Sequence, residues 1–264
     1  MRRMLSGLIV VCLAFVAVDA KGGIILAGTS RTIDFDSIDS ELPSGVTVRT
    51  GATSSFLGAQ QTFSSTSISW SSNTGNFRNI ASSDGTSLGF GADAEQQMGF
   101  VNRAIGLRQT GTFGDPGAAL TFQIQDTLGF QNFTWKIDVG VLDVEGRTTL
   151  LSFQFATGAT PTTFTTLGTL SPETFGLTTQ TYNLSSGVED SAETLWLRVA
   201  ALGSTTGSDS RDTIGFDNFV LTYSDVTAVP EPTSLAVAAI GCIGGVVIRY
   251  RRRKSAVEPS TTAS

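Results

Sequence analysis

The sequence predicts an all-β chain: an antiparallel β-sandwich, jelly-roll-like, set between an N-terminal signal peptide and one C-terminal transmembrane helix. Three observations predict it. The middle of the chain alternates apolar and polar residues with period two, between clusters of Gly, Asp, Ser and Pro. No stretch of that middle keeps a 3.6-residue period. Long apolar runs flanked by basic residues stand only at the two ends. The implied organisation is a signal peptide over residues 1–20, a sandwich ectodomain over 28–226, a sorting segment over 229–254 containing a helix over 233–248, and a polar tail over 255–264.

At the start, Arg2 and Arg3 precede an apolar run over residues 8–18, and Val18-Asp19-Ala20 ends it. That is the three-part pattern of a secretory signal, and the run is short for a membrane span. An uncleaved N-terminal anchor and cleavage after Ala27 are the alternatives.

The strands follow in order. Residues 32–36 open the domain, and 46–49 come after a Leu-Pro-Ser-Gly turn. Residues 66–70, 97–101 and 104–109 are further candidates. The clearest runs are 119–125, 133–141, 149–155, 179–184, 194–201 and 214–223. Leu120, Phe122 and Ile124 line one face of their run while Thr121, Gln123 and Gln125 point away. Leu195, Leu197 and Val199 do the same, with Trp196 and Arg198 opposite. Residues 51–65 and 71–87 are rich in Ser, Gly and Asn and read as loops. Ten or so short strands joined by turns indicate a sandwich.

Composition narrows the chemistry. Eight of the 17 basic residues lie in the end segments, so the middle carries nine basic against twenty acidic side chains, a net of −11. Nucleic acid is excluded as a partner for such a surface, because binding it needs Lys and Arg against phosphates. The absence of His excludes a Ser-His-Asp triad, a Cys-His pair and a His-ligated zinc. Both cysteines, Cys12 and Cys242, sit in the ends, so no disulfide staples the middle.

The C-terminal segment has three parts. Val229-Pro230-Glu231-Pro232 comes first, then an Ala/Val/Ile/Gly run over residues 233–248, then Arg249, Tyr250, Arg251, Arg252, Arg253 and Lys254. A helix over the run is roughly 24 Å long, against a hydrocarbon core of roughly 30 Å. Arg249 and Tyr250 extend its reach by snorkelling. The basic cluster holds its end in the cytoplasm and leaves the sandwich outside. These residues closely resemble the PEP-CTERM sorting signal of Gram-negative bacteria that make extracellular polysaccharide. The resemblance implies recognition of Pro230-Glu231-Pro232 by a membrane-embedded exosortase. It further implies an inner-membrane-anchored precursor, cut near that motif and passed to the cell surface or extracellular matrix. The ten-residue tail after Lys254 departs from the pattern, and an anchor that is never cut is the alternative. Residues 113–223 also resemble a sandwich domain common in such proteins, through 119–125, Trp135, 153–155, 196–198 and the closing run 214–222. That closing run looks like the last strand of lectin-like jelly rolls, which implies fold rather than activity.

Two constellations offer chemistry. Asp34, Asp36, Asp39 and Glu41 cluster at the first strand, while Asp212 and Asp217 flank the last. First and last strands of a jelly roll are often neighbours, so Asp34, Asp36 and Asp217 are the candidate ligands of a Ca²⁺, the one cofactor the sequence suggests. The competing role is bonding of turn amides, the ordinary work of Asp in loops. Sugar stacking is the second chemistry. Trp70 beside its polar loop is the expected exposed platform, while Trp135 and Trp196 suit a core. No pair of carboxylates is marked as glycosidase machinery. The expectation is a non-enzymatic exported protein, structural or adhesive in exopolysaccharide, with exosortase, membrane and polysaccharide as partners. A calcium-dependent carbohydrate-binding module and a glycan-active enzyme are the alternatives.

Overall fold

The structure is a computed structural model that describes residues 22–226. The signal peptide, the sorting motif with its helix and basic cluster, and the polar tail lie outside the described residues. Among the described residues no helix is long and apolar enough to cross a membrane.

The first part of the chain gives β1 (Ser30–Ile33), β2 (Val46–Thr50), β3 (Ala59–Gln60), β4 (Phe63–Ser64), β5 (Asn76–Ala81), the one-turn helix α1 (Ala94–Gln97) and β6 (Arg103–Arg108). The middle gives β7 (Ala118–Ile124), β8 (Phe130–Asp143), β9 (Arg147–Thr148), β10 (Leu151–Thr157) and β11 (Thr165–Leu170). The last part gives β12 (Gly176–Asn183), β13 (Leu195–Ala201), β14 (Thr206–Gly207) and β15 (Thr213–Asp225). Two sheets hold most of these. One runs β12-β8-β15-β6-β5-β4, with β1 also on β15, and the other runs β11-β10-β13-β7-β2-β3. All pairings within them are antiparallel except β4 with β5. The path from β6 through β7 to β8 crosses from sheet to sheet and back, as jelly rolls do.

Period two explains the core. Leu120, Phe122 and Ile124 of β7 and Leu195, Leu197 and Val199 of β13 are all buried between the sheets, as their alternation requires. Phe122 stacks on Phe219 of β15 at 4.2 Å and meets Trp135 of β8 edge-on at 6.4 Å. Trp135 in turn lies 5.9 Å from Phe153 of β10, which is 4.9 Å from Tyr182 of β12. This aromatic column ties the two sheets face to face. On the far side of β13, Arg198 is fully buried as well. It donates to the Gln154 Oε1 at 2.8 Å and to the carbonyls of Phe56 and Thr53 at 2.9 and 2.7 Å, with its guanidinium 3.4 Å from the Phe164 ring centroid. Burial lowers its pKa to about 10.

Several readings of the sequence are corrected. Residues 66–70 form no strand, and residues 97–101 are the end of α1 and a turn. The expected loop over 71–87 contains β5, and β11 stands where the sequence shows no strand pattern. Trp70 is corrected too. It is fully buried, packed with Ile80, Ala92, Ala104 and Leu142 in a second, smaller core and 6.0 Å from Phe175. The segments on either side of β5, residues 66–75 and 82–101, fold back over the outer face of the seven-stranded sheet, and Trp70 plugs the seam. Its backbone N–H bonds the Ala92 carbonyl at 2.9 Å. A polar neighbourhood in sequence therefore does not mean exposure, because the loop itself packs.

Trp70 is thus a stability residue. Trp70→Ala should cost about 3–5 kcal/mol in urea unfolding. A loss within experimental error of zero would show that the outer layer does not pack on the sheet.

Candidate functional site

Phe35, just after β1, has φ +59° with its ring fully buried, 6.4 Å from Phe122. A bulky residue in the left-handed region is costly and holds only where packing over-determines it. The buried ring turns the chain so that Asp34, Asp36, Ser37 and Asp39 are all exposed. Asp36 Oδ1 accepts the Arg103 N–H at 2.9 Å, and Asp34 Oδ1 accepts the Asp36 N–H at 3.2 Å. The turn is thereby fastened to the start of β6.

The Arg103 side chain gathers the neighbouring segments. Its Nε donates to Asn79 Oδ1 at 2.8 Å, its Nη1 to the carbonyls of Gln97 and Phe100 at 3.0 and 3.3 Å, and its Nη2 to the Ser67 hydroxyl. Burial lowers its pKa, and Asp36 works against that. One side chain thus joins β5, α1, the following turn and the 67 segment. Gln97, fully buried, adds a second brace. Its Nε2 donates to the Ile68 and Ala92 carbonyls at 2.9 and 3.0 Å, and its Oε1 accepts the Ala81 N–H at 3.2 Å. A capping box between Asp93 and Gln96 starts the short helix.

These braces enclose an open cleft of about 550 Å³. Its polar wall is Asp36, Ser37, Asp39, Thr66, Ser67 and Asn79, and its apolar wall is Met98, Phe100 and Val101. Met98 and Val101 are 79% and 83% exposed, unusual for such side chains without a partner. Hydroxyl-pairing groups on one side and an apolar strip on the other can hold a small amphipathic ligand.

The sequence-level candidates are distributed differently. First and last strands do pair, Ile33 opposite Phe219, so Asp36 and Asp217 are close enough to interact electrostatically. Among the described residues no three Asp, Glu, His or Cys lie close enough together to hold a metal ion. Asp34 and Asp36 each accept one backbone amide through Oδ1, and Asp217 is fully buried beside the bulge at Asn218, whose φ is +48°. Asp217 Oδ1 accepts the Asn218 N–H at 2.7 Å. Oδ2 makes no hydrogen bond of good geometry, though the Ser82 hydroxyl lies near enough to favour the charged form. Burial dominates and raises the Asp217 pKa to about 7, with Asp138 and Asp36 pushing the same way. Trp135 lies in the core, and Trp196 is roofed by Arg49 at 5.6 Å while its Nε1 donates to the Gly158 carbonyl at 3.0 Å. Arg103, Met98 and Val101 are not among the sequence-level candidates; an apolar pair beside an Arg is the signal that could have marked them.

No family model matches the chain, and no curated protein matches it. Several solved structures are similar to it. The family 11 carbohydrate-binding module from Clostridium thermocellum, in complex with a β-1,3-1,4-mixed-linked tetrasaccharide, shares 11% identity over 75% of this chain and 97% of that one, with a TM-score of 0.38. The C-terminal family 22 carbohydrate-binding module of Clostridium thermocellum Xyn10B shares 10% identity over 73% and 93%, with a TM-score of 0.36. The CBM22-1–GH10 modules of that xylanase, complexed with xylohexaose, share 11% identity over 62% of this chain with a TM-score of 0.37, and this chain spans 29% of their length.

The raised Asp217 pKa sets a pH dependence. A carboxyl whose folded pKa lies above its ordinary 3.8 favours the fold most below that value, and the benefit is lost as pH rises through about 7. Asp217→Asn keeps the acceptor for Asn218. Its melting temperature should match the wild type at pH 4 and exceed it at pH 8. Equal values at both pH values would show that Asp217 is ordinary.

Proposed function

We propose that this chain is an exported, non-catalytic β-sandwich that binds polysaccharide weakly through the Asp36–Val101 cleft and serves a structural or adhesive role at the cell surface. The observation that carries this is the braced cleft, with carboxylates, hydroxyls and an amide facing an exposed Met98–Val101 strip. Sugars have that dual character: their hydroxyls bond the polar groups, and their C–H faces cover the apolar ones. With Asp36 and Asp39 on the wall and −11 on the body, a neutral glycan fits better than an acidic one.

Delivery belongs to residues 229–254, whose resemblance to an exosortase signal supports a membrane-anchored precursor that is cut and released to the surface.

Two measurements test this. Affinity electrophoresis against neutral and acidic polysaccharides should show retardation by a neutral one, unchanged by EDTA. Asp39→Ala with Val101→Ser should weaken it roughly tenfold without lowering the melting temperature, about 1.4 kcal/mol of lost contact. Failure of every polysaccharide to retard the wild type would end the binding reading. Separately, mass spectrometry of the mature C-terminus should find it near Pro230. An intact Arg251–Arg253 cluster would show a permanent anchor instead.

A further inference from the structure

The two flanks of the sandwich end differently. On one, the terminal strands β3 and β4 are two residues each, too short to template another strand. On the other, β11 and β12 are the terminal strands of their sheets, six and eight residues long, and neither pairs on its outer side with another described strand. Protein edges of that length are normally blunted by Lys, Pro or an inward charge. Neither strand has any: β11 reads TTLGTL and β12 reads GLTTQTYN. From Gly158 to Leu184 the only charged residue is Glu173.

We propose that the free edge of β12 pairs antiparallel with the β12 edge of a second copy of this chain, extending the seven-stranded sheet across a two-fold axis. Charge identifies the occupant. Two bodies of net −11 repel over most of their surfaces, but not over this flank. A partner of another kind would find only Lys136 and Asp138 of β8 beside the strand, opposite Thr181 and Thr179, with Asp138 already bonded by the Thr179 hydroxyl, whereas main-chain groups and threonine hydroxyls are self-complementary under a two-fold. Thr178, Thr179, Thr181 and Asn183 are exposed along the strand. Tyr182 and Leu177 pack back onto the two cores and keep β12 straight and in register. The contact would also double any weak ligand site on the surface, though it stands on the edge alone and not on the proposed function.

The test uses the full chain in detergent, with Cys12 and Cys242 replaced by serine. Single cysteines are introduced as Thr181→Cys on β12 and Gln60→Cys on β3, and a short bis-maleimide is added. Cross-linked dimer should form at least fivefold more from Thr181→Cys, and adding Thr179→Lys should abolish it while the melting temperature holds. Cross-linking equal at both positions, none at Thr181→Cys, or dimer that survives Thr179→Lys would overturn the proposal. If Thr179→Lys lowers the melting temperature, Thr181→Lys on the same face, with the cysteine at Gln180 on the other, gives the same reading.

Discussion

The outer layer of this protein depends on one guanidinium. Arg103 bonds Asn79, the carbonyls of Gln97 and Phe100, and the hydroxyl of Ser67, and its own amide is held by Asp36. A half-buried cation keeps so many partners only if each is fixed, because every missing bond would leave a polar group without water. The outer segments 66–75 and 82–101 are therefore anchored where they meet the first turn, and Trp70 can seal the rest against Ile80 of the sheet. Without that anchor the cleft has no second wall.

The sandwich beneath is independent of it. Phe122, Phe219, Trp135, Phe153 and Tyr182 form a continuous aromatic contact from one sheet to the other. These residues come from strands whose partners lie far away in sequence, such as β1 with β15. Strain is placed at the junction of the two layers, where Phe35 and Asn218 hold positive φ and Asp217 is buried.

How much of this is legible in the sequence depends on what period two can carry. It reports a strand with one wet face and one dry face, and β7, β13, β8 and β15 are recognisable for that reason. Strand β5, NFRNIA, is buried on both faces because the outer layer covers it, so Arg78 and Asn79 sit where alternation expects polar and apolar in turn. Strand β11 buries almost nothing and gives no pattern either. The apolar Met98 and Val101 mimic a strand and belong to the turn after α1. Of the site, the approach of Asp36 to Asp217 is legible from the pairing of first and last strands; the role of Arg103 is not, since its acceptors span residues 67 to 100.

Arg103 builds the cleft without holding up the sandwich, and native-state hydrogen exchange on wild type and Arg103→Met tests this most directly. Faster exchange confined to residues 66–75 and 82–101 is expected, with β5, β7, β8 and β13 unchanged. Uniform acceleration across both sheets, or none anywhere, would contradict it.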